Sequence, residues 1–170
     1  MQDEDDPRWL ARPEVLNGLR AVGAAGLAYD LLVLVPQLEV ATAVVRELPE
    51  LRFVLDHLAK PDIAAGSREP WASRIAALGA LPNVSAKISG LVTEARWDDW
   101  DAERIAPYAR HALEVFGPDR LMYGSDWPVC TLAATFRQWL EALQAIVKDR
   151  SEEEQRKLFH DNAVRVYGLG

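Results

Sequence analysis

The feature that most constrains the fold is a fourfold alternation of short apolar segments with amphipathic ones. The apolar segments contain β-branched or aromatic residues and have the length of strands covered on both faces. They span residues 26–34, 51–59, 83–91 and 120–127. Their separation, roughly 25–35 residues, is that of a βα repeat. The sequence therefore predicts an α/β fold with a parallel sheet.

The amphipathic segments predict the helices. Their apolar residues recur at intervals of three and four. The segments span residues 13–24, 37–47, 70–81, 101–116, 132–148 and 151–166. The last one begins with Ser151 and Glu154, the Ser-x-x-Glu pattern of a capping box. We expect residues 1–170 to form one domain.

Composition excludes several classes of function. A net charge of −7 and a pI of about 5.0 argue against nucleic acid and anionic membranes as partners, and no apolar run reaches the length of a membrane span. No glycine-rich motif for a dinucleotide or a nucleoside triphosphate is present. The single cysteine, Cys130, excludes an internal disulfide and indicates a cytoplasmic protein. We expect its thiol to be buried and inert.

Polar residues collect at the carboxyl ends of three successive predicted strands. In α/β sheets, ligands bind at this edge. In chain order the residues are Asp56, His57, Lys60, Lys87, Ser89, Ser125, Asp126 and Trp127. A buried carboxylate at a strand end is costly unless it is paired, hydrogen-bonded or bound to a metal. This makes Asp126 a candidate for handling protons or a metal.

Each of these residues also has a structural explanation. Asp126 is able to cap the turn that follows it, and His57 fits a hydrogen-bonded core histidine. Lys87 fits a partner for a carboxylate, and Trp127 fits the core as well as a pocket wall. The two remaining histidines lie on predicted helices, where we expect structural roles.

Four segments together suggest a family. "LRFVLDHLAKP", "NVSAKISGL", "DRLMYGSDWPV" and "FHDNAVRVYGL" resemble successive signatures of the amidohydrolase-2 family, which includes sugar-lactone hydrolases and 2-pyrone-4,6-dicarboxylate lactonase. The resemblance covers residues 2–169. It implies a TIM (β/α)8 barrel and hydrolysis of a lactone or related cyclic ester or amide.

The resemblance also implies roles for individual residues. His57 would line the active site, and Asp126 would act as general base towards water. Family members differ in their need for a divalent metal, so zinc, manganese and no metal all stay open; His57 and Asp126 are the expected ligands of any metal that is bound. The expected substrate contacts are Lys60, Lys87, Ser125, Trp127 and Glu4, and Glu4 is also a candidate third ligand.

The chain departs from the family in length. A complete barrel needs about 250 residues and eight strands, whereas four strands are predicted here and the family's His-x-His motif is absent. We therefore expect the C-terminal half of a barrel, truncated and incomplete, with residues 2–4 in the loop leaving the preceding strand. Its inner face, with Leu55 and Tyr123, would be uncovered, so we expect self-association or pairing with an N-terminal half-barrel. Alone, it should bind metal poorly and have little activity.

Two other classes of function stay open. One is a non-catalytic half-barrel or scaffold that needs a partner chain, which the missing His-x-His motif favours. The other is a hydrolase that uses Ser125 as nucleophile. The segment "GSD" lacks the Gly-x-Ser-x-Gly pattern of a nucleophile elbow, which argues against this alternative.

Overall fold

The fold is a four-stranded parallel sheet flanked by helices, as the sequence predicts. A computed structural model describes residues 3–170; the start of the predicted domain and of the predicted loop, Met1 and Gln2, lies outside these residues. The strands follow each other in chain order across the sheet. They are β1 (Ala28–Leu31), β2 (Arg52–Leu55), β3 (Val84–Ile88) and β4 (Leu121–Tyr123). Over the described residues β1 and β4 are edge strands, and the sheet does not close into a barrel.

Each predicted helical segment contains a helix. The helices are α1 (Pro13–Ala24), α2 (Leu38–Glu47), α3 (Trp71–Gly79), α4 (Leu91–Glu94), α5 (Ala102–Phe116), α6 (Phe136–Ile146), α7 (Glu152–Arg156) and α8 (Asn162–Tyr167). The predicted capping box is confirmed, since the Ser151 hydroxyl accepts a hydrogen bond from the Glu154 backbone. A π-type turn, Lys157–Asp161, divides the predicted last helix into α7 and α8. No helix within residues 3–170 is long and apolar enough to cross a membrane.

The two faces of the sheet differ in character. The outer face packs against helices and forms the main hydrophobic core. The inner face carries both polar and apolar side chains, and the strand register aligns them across the sheet. The side chains on the inner face are those of Asp30, Val54, Ser85, Lys87 and Met122.

The prediction that Leu55 and Tyr123 lie on the inner face was wrong. Leu55 is fully buried in the core between sheet and helices. Tyr123 packs against aromatic rings of α6 and the π-type turn, with Trp139 stacked on it. Because side chains alternate along a strand, their neighbours Val54 and Met122 take the inner face instead.

The C-terminal helix α8 covers part of the inner face. Val166 packs with Val54 and Met122 in a small second cluster. The Asn162 side chain donates hydrogen bonds to the carbonyls of Pro118 and Leu121, which fixes the start of α8 against the approach to β4. The open part of the inner face therefore lies toward the carboxyl ends of the strands.

Candidate active site

His57 lies on a left-handed turn that follows β2. His57, Leu58, Ala59 and Lys60 all have positive φ, from 49° to 59°. Each such non-glycine residue costs about 1–2 kcal/mol, so the turn needs outside support. Leu58 and Ala59 are fully buried, and the indole of Trp71 donates a 2.7 Å hydrogen bond to the Leu58 carbonyl. The turn thus aims His57 and Lys60 at the edge of the sheet.

Asp126 follows β4 and reaches the same place. It too has positive φ, 54°. Its Oδ1 lies 3.6 Å from Nε2 of His57, and the two side chains are 12% and 18% exposed. The structure therefore brings together the two residues expected to be catalytic, although β3 lies between the strands that carry them. Strained backbone of this kind is concentrated at functional sites.

Burial sets the charge state of this pair. It raises the pKa of the Asp126 carboxyl, although His57 and Lys60 act in the opposite direction. It also lowers the pKa of the His57 imidazole, against the attraction of Asp126 and Asp56. Burial thus favours the neutral form of the His57 imidazole and makes the Asp126 carboxylate more basic than an exposed one.

Ser89 occupies the space between the two strands that carry the pair. It follows β3, and its Oγ lies 2.8 Å from Nδ1 of His57. Sequence analysis placed Ser89 at a strand end and gave it no role in the site. Its position follows from the strand order, because β3 lies between β2 and β4.

Lys60 pairs with a carboxylate that sequence analysis missed. Its Nζ lies 3.8 Å from Oε1 of Glu94, and both side chains are 25% exposed. Burial raises the pKa of Glu94, with the Lys60 ammonium opposing it. Glu94 ends the short helix α4 directly after β3, so its nearness to a strand end was the available signal. We refer to His57, Lys60, Ser89, Glu94 and Asp126 as the strand-end cluster.

Lys87 lies between Asp30 of the inner face and Asp56, which directly follows β2. Its Nζ is 2.6 Å from Oδ2 of Asp30 and 2.9 Å from Oδ1 of Asp56. The Tyr167 hydroxyl donates to the other oxygen of Asp30 at 2.7 Å. Lys87 thus pairs with two carboxylates, as its structural explanation predicts. Its contact with a substrate stays a prediction.

The remaining predicted site residues are Ser125, Trp127 and Glu4. The Ser125 hydroxyl accepts a hydrogen bond from the Trp127 backbone. The serine that contacts His57 is Ser89 and not Ser125, which argues against Ser125 as a nucleophile. Trp127 is 67% exposed, so a place in the core is wrong for it and a pocket wall stays a prediction. Glu4 is exposed ahead of the first helix, and within residues 3–170 no hydrogen bond or ion pair joins it to the strand-end cluster.

Cys130 is buried as expected, and burial raises the pKa of its thiol.

Within residues 3–170 the donors available for a metal are fewer than a hydrolytic zinc site needs. A tetrahedral ion with bonds of 2.0–2.1 Å separates its ligand atoms by about 3.4 Å, and the 3.6 Å between His57 and Asp126 fits that spacing. A hydrolytic zinc takes about three protein ligands. Residues 3–170 contain no group of three or more histidine, cysteine, aspartate or glutamate side chains placed to hold a metal ion.

Known proteins are similar to this chain in both sequence and fold. An L-fucono-1,5-lactonase of Burkholderia ambifaria is 38% identical, with 99% of this chain aligned to 59% of that protein. A 2-pyrone-4,6-dicarboxylate hydrolase of Comamonas testosteroni is 31% identical over 71% of this chain and 45% of its own length. The crystal structure of an amidohydrolase from Burkholderia multivorans with bound zinc superposes with a TM-score of 0.95 at 35% identity, covering 99% of this chain and 62% of that one.

These matches define the family and its extent here. The chain spans about three fifths of the length of the two Burkholderia proteins. Its four strands correspond to part of the TIM barrel of these relatives. The amidohydrolase family itself matches residues 1–169. With almost every residue inside that match, the chain belongs to the amidohydrolase family.

Proposed function

We propose that the strand-end cluster is part of the active site of a lactone hydrolase, with Asp126 as general base and His57 beside it. The observation that carries the proposal is the 3.6 Å approach of these two side chains from separate strands, each on strained backbone. The L-fucono-1,5-lactonase relative supports the reaction type.

The environment of each group suits its role. A carboxylate whose pKa is raised by burial is a better proton acceptor than an ordinary one at neutral pH, and such a base contributes about 10²–10⁴-fold. Asp126 would take a proton from the attacking water. His57, kept neutral by burial, would orient that water or donate a hydrogen bond to the lactone carbonyl. Stabilisation of the tetrahedral intermediate must supply much of the remaining acceleration.

The charges at the site favour a neutral, hydroxylated lactone. Lys60 faces Glu94, and Lys87 is held by Asp30 and Asp56. Neither lysine is therefore left to neutralise a substrate carboxylate. A lysine–glutamate pair at 3.8 Å instead offers a donor and an acceptor to the hydroxyl groups of a sugar lactone. Of the two relatives named above, the L-fucono-1,5-lactonase is the better guide on this criterion.

A metal would need ligands from outside the described residues. His57 and Asp126 would supply two of them in a complete barrel, and zinc and manganese are the candidates. Because the described donors do not complete a site, we expect weak metal binding and little turnover from this chain alone.

The partly exposed polar side chains of the inner face, Asp30 and Lys87, support a need for a further half-barrel, although α8 already buries Val54 and Met122. The polar network of this face and the two edge strands are the surfaces that the remaining strands of a barrel would cover. We propose that the chain either self-associates or pairs with an N-terminal half-barrel. Light scattering after size exclusion should show a species larger than 19.0 kDa that binds hydrophobic dye. A monodisperse monomer with a cooperative melt and no dye binding would oppose this.

The function is tested by completing the barrel. The segment of the Burkholderia multivorans relative that this chain does not match would be co-expressed with it. A panel of sugar lactones and 2-pyrone-4,6-dicarboxylate would then be assayed with a pH indicator, with and without added zinc or manganese. We expect hydrolysis of sugar lactones, and its loss in Asp126→Asn. The control Asp119→Asn changes an exposed carboxylate that pairs with Lys157 and should leave turnover intact.

The results separate this proposal from its main rival. Turnover that survives Asp126→Asn would remove the assigned base. A folded, completed barrel that hydrolyses no lactone on the panel would favour the second candidate, a non-catalytic scaffold that needs a partner chain. The open sheet and the incomplete metal donor set are the observations that favour this alternative.

A further inference from the structure

We infer that Ser89 is a positioning residue that, in the metal-free site, holds the His57 imidazole in the tautomer with its proton on Nε2, directed at Asp126. The relevance of this arrangement to catalysis rests on the proposed function. Its test does not involve turnover, so failure of the inference and failure of the proposed function are distinguishable.

The tautomer follows from the hydroxyl proton of Ser89. Ser89 is 1% exposed, so bulk water does not reach its hydroxyl group. A buried hydroxyl proton without an acceptor is costly. Within the described part of the chain the Ser89 hydroxyl has one hydrogen-bond partner, Nδ1 of His57 at 2.8 Å. Ser89 therefore donates to Nδ1, which must carry a lone pair, and the single proton of the neutral ring lies on Nε2.

This proton points into the gap between the two catalytic candidates. Nε2 of His57 is 3.6 Å from Oδ1 of Asp126, which is beyond a normal direct hydrogen bond. The gap lets one water or substrate oxygen contact both groups. His57 would then donate to that oxygen, while Asp126 accepts its proton.

Two glycines make room for the pair of side chains. A Cβ atom on Gly90 would lie 2.9 Å from Cγ of His57, and one on Gly124 would lie 2.7 Å from Cβ of Ser89. Gly90 also has φ of +64°, which other residues rarely adopt. The backbone on both sides of Ser89 is thus shaped around the serine–imidazole contact.

Ser89, His57 and Asp126 are the residue types of a serine-hydrolase triad. The burial of Ser89, however, excludes it as a nucleophile. A nucleophile must reach the substrate, whereas Ser89 is enclosed at the Nδ1 side of the ring. The opposite ring nitrogen, Nε2, is the one that faces Asp126. Ser89 therefore acts through His57 and does not touch the substrate.

The test reads the tautomer directly. In the full chain labelled with ¹⁵N, two-bond ¹⁵N–¹H spectra distinguish a protonated ring nitrogen from an unprotonated one. His111 is an internal reference, because its Nε2 lies 3.1 Å from the Ala72 carbonyl and must carry the proton. We expect the same tautomer for His57. In Ser89→Ala, loss of one hydrogen bond should shift the ratio of the two tautomers about five-fold toward the Nδ1–H form.

Ser85→Ala is the matched control. Ser85 is also a buried serine, 8% exposed, in β3 itself, and within residues 3–170 no hydrogen bond joins it to His57. The inference is overturned if wild-type His57 carries its proton on Nδ1, if Ser89→Ala leaves the ratio unchanged, or if Ser85→Ala shifts it equally.

A second measurement applies where self-association broadens the spectra. Carbethoxylation of each histidine is followed by mass spectrometry, with the exposed His160 as rate reference. Freeing Nδ1 and the ring in Ser89→Ala should raise the relative rate at His57 about five-fold, and Ser85→Ala should not. Equal rates in wild type and Ser89→Ala would contradict a positioning role.

Discussion

Replacing Lys87 by methionine tests the charge network of the inner face. The Lys87 ammonium lies 2.6 Å from Asp30 and 2.9 Å from Asp56. Methionine keeps much of the aliphatic stem and removes the charge. The two carboxylates would then face each other without this cation, and among the described residues Asp30 would keep the hydrogen bond from Tyr167. We expect a marked loss of stability.

The size of the loss follows from the exposure of the three side chains. Exposed ion pairs contribute about 0.2–1 kcal/mol, and breaking a buried pair costs about 3–5 kcal/mol. The side chains of Lys87, Asp30 and Asp56 are 22%, 34% and 15% exposed, which places the network between these limits. We expect the free energy of unfolding to fall by about 2 kcal/mol, which corresponds to about 1 M in the urea midpoint.

Lys157→Met is the matched control. Lys157 also bridges two carboxylates, Asp119 and Glu153, each at 2.9 Å. Those carboxylates are 70% and 66% exposed, so water and salt screen them. Urea titrations at equal protein concentration should show a clearly smaller shift for this variant. Equal shifts for the two lysines would refute the reasoning, since burial would then not decide the effect.

The pH dependence supplies an independent check. Burial alone would lower the pKa of Lys87, but hydrogen bonds with Asp30, Tyr167 and Asp56 raise it above its ordinary value. A raised folded-state pKa means that the lysine stabilises the fold fully below its unfolded pKa of about 10.4 and loses that effect above the folded value. The difference between wild type and Lys87→Met should thus stay constant between about pH 6 and about pH 9.

Three further outcomes are expected. Asp126→Asn should raise the free energy of unfolding by about 1 kcal/mol at pH 7. The substitution removes a buried carboxylate with a raised pKa, and asparagine tolerates the positive φ of this position. Urea titrations should show this gain shrinking as the pH falls through the wild-type pKa, where Asp126 becomes neutral. Tyr123→Phe should leave stability unchanged or raise it by up to about 1 kcal/mol, because the buried hydroxyl has no hydrogen-bond partner among the described residues; urea midpoints check this. Adding zinc to this chain should shift the ¹⁵N signals of His57 only slightly, because a hydrolytic zinc takes about three protein ligands and residues 3–170 contain no such group.

Periodicity predicted the elements well and their ends poorly. The predicted strand over residues 51–59 contains β2, but only Arg52–Leu55 is extended. After Asp56, residues 57–60 adopt a left-handed conformation that the propensities of leucine, alanine and lysine do not favour. Tertiary contacts hold that turn, notably the Trp71 hydrogen bond to Leu58, and a local pattern does not contain them.

The face of each strand was harder to predict than its existence. Strands covered on both sides read as continuous apolar runs, so their pattern does not show which residues point inward. This is why Leu55 and Tyr123 were assigned to the wrong face. The charged residues within strands carried the missing signal: Asp30 and Lys87 mark the polar inner face, and counting by twos from Lys87 also gives Ser85.

The same logic shows how far the site itself could be derived. His57 and Asp126 stand out because each is an ionisable group at the end of an apolar strand. Ser89 does not stand out, since a serine after a strand is common. In a parallel sheet whose strands follow chain order, however, the end of the third strand lies between the ends of the second and fourth. A small hydrogen-bonding residue there faces the imidazole from one side, while the carboxylate faces it from the other. The order of the strands therefore predicts Ser89 as the partner of His57.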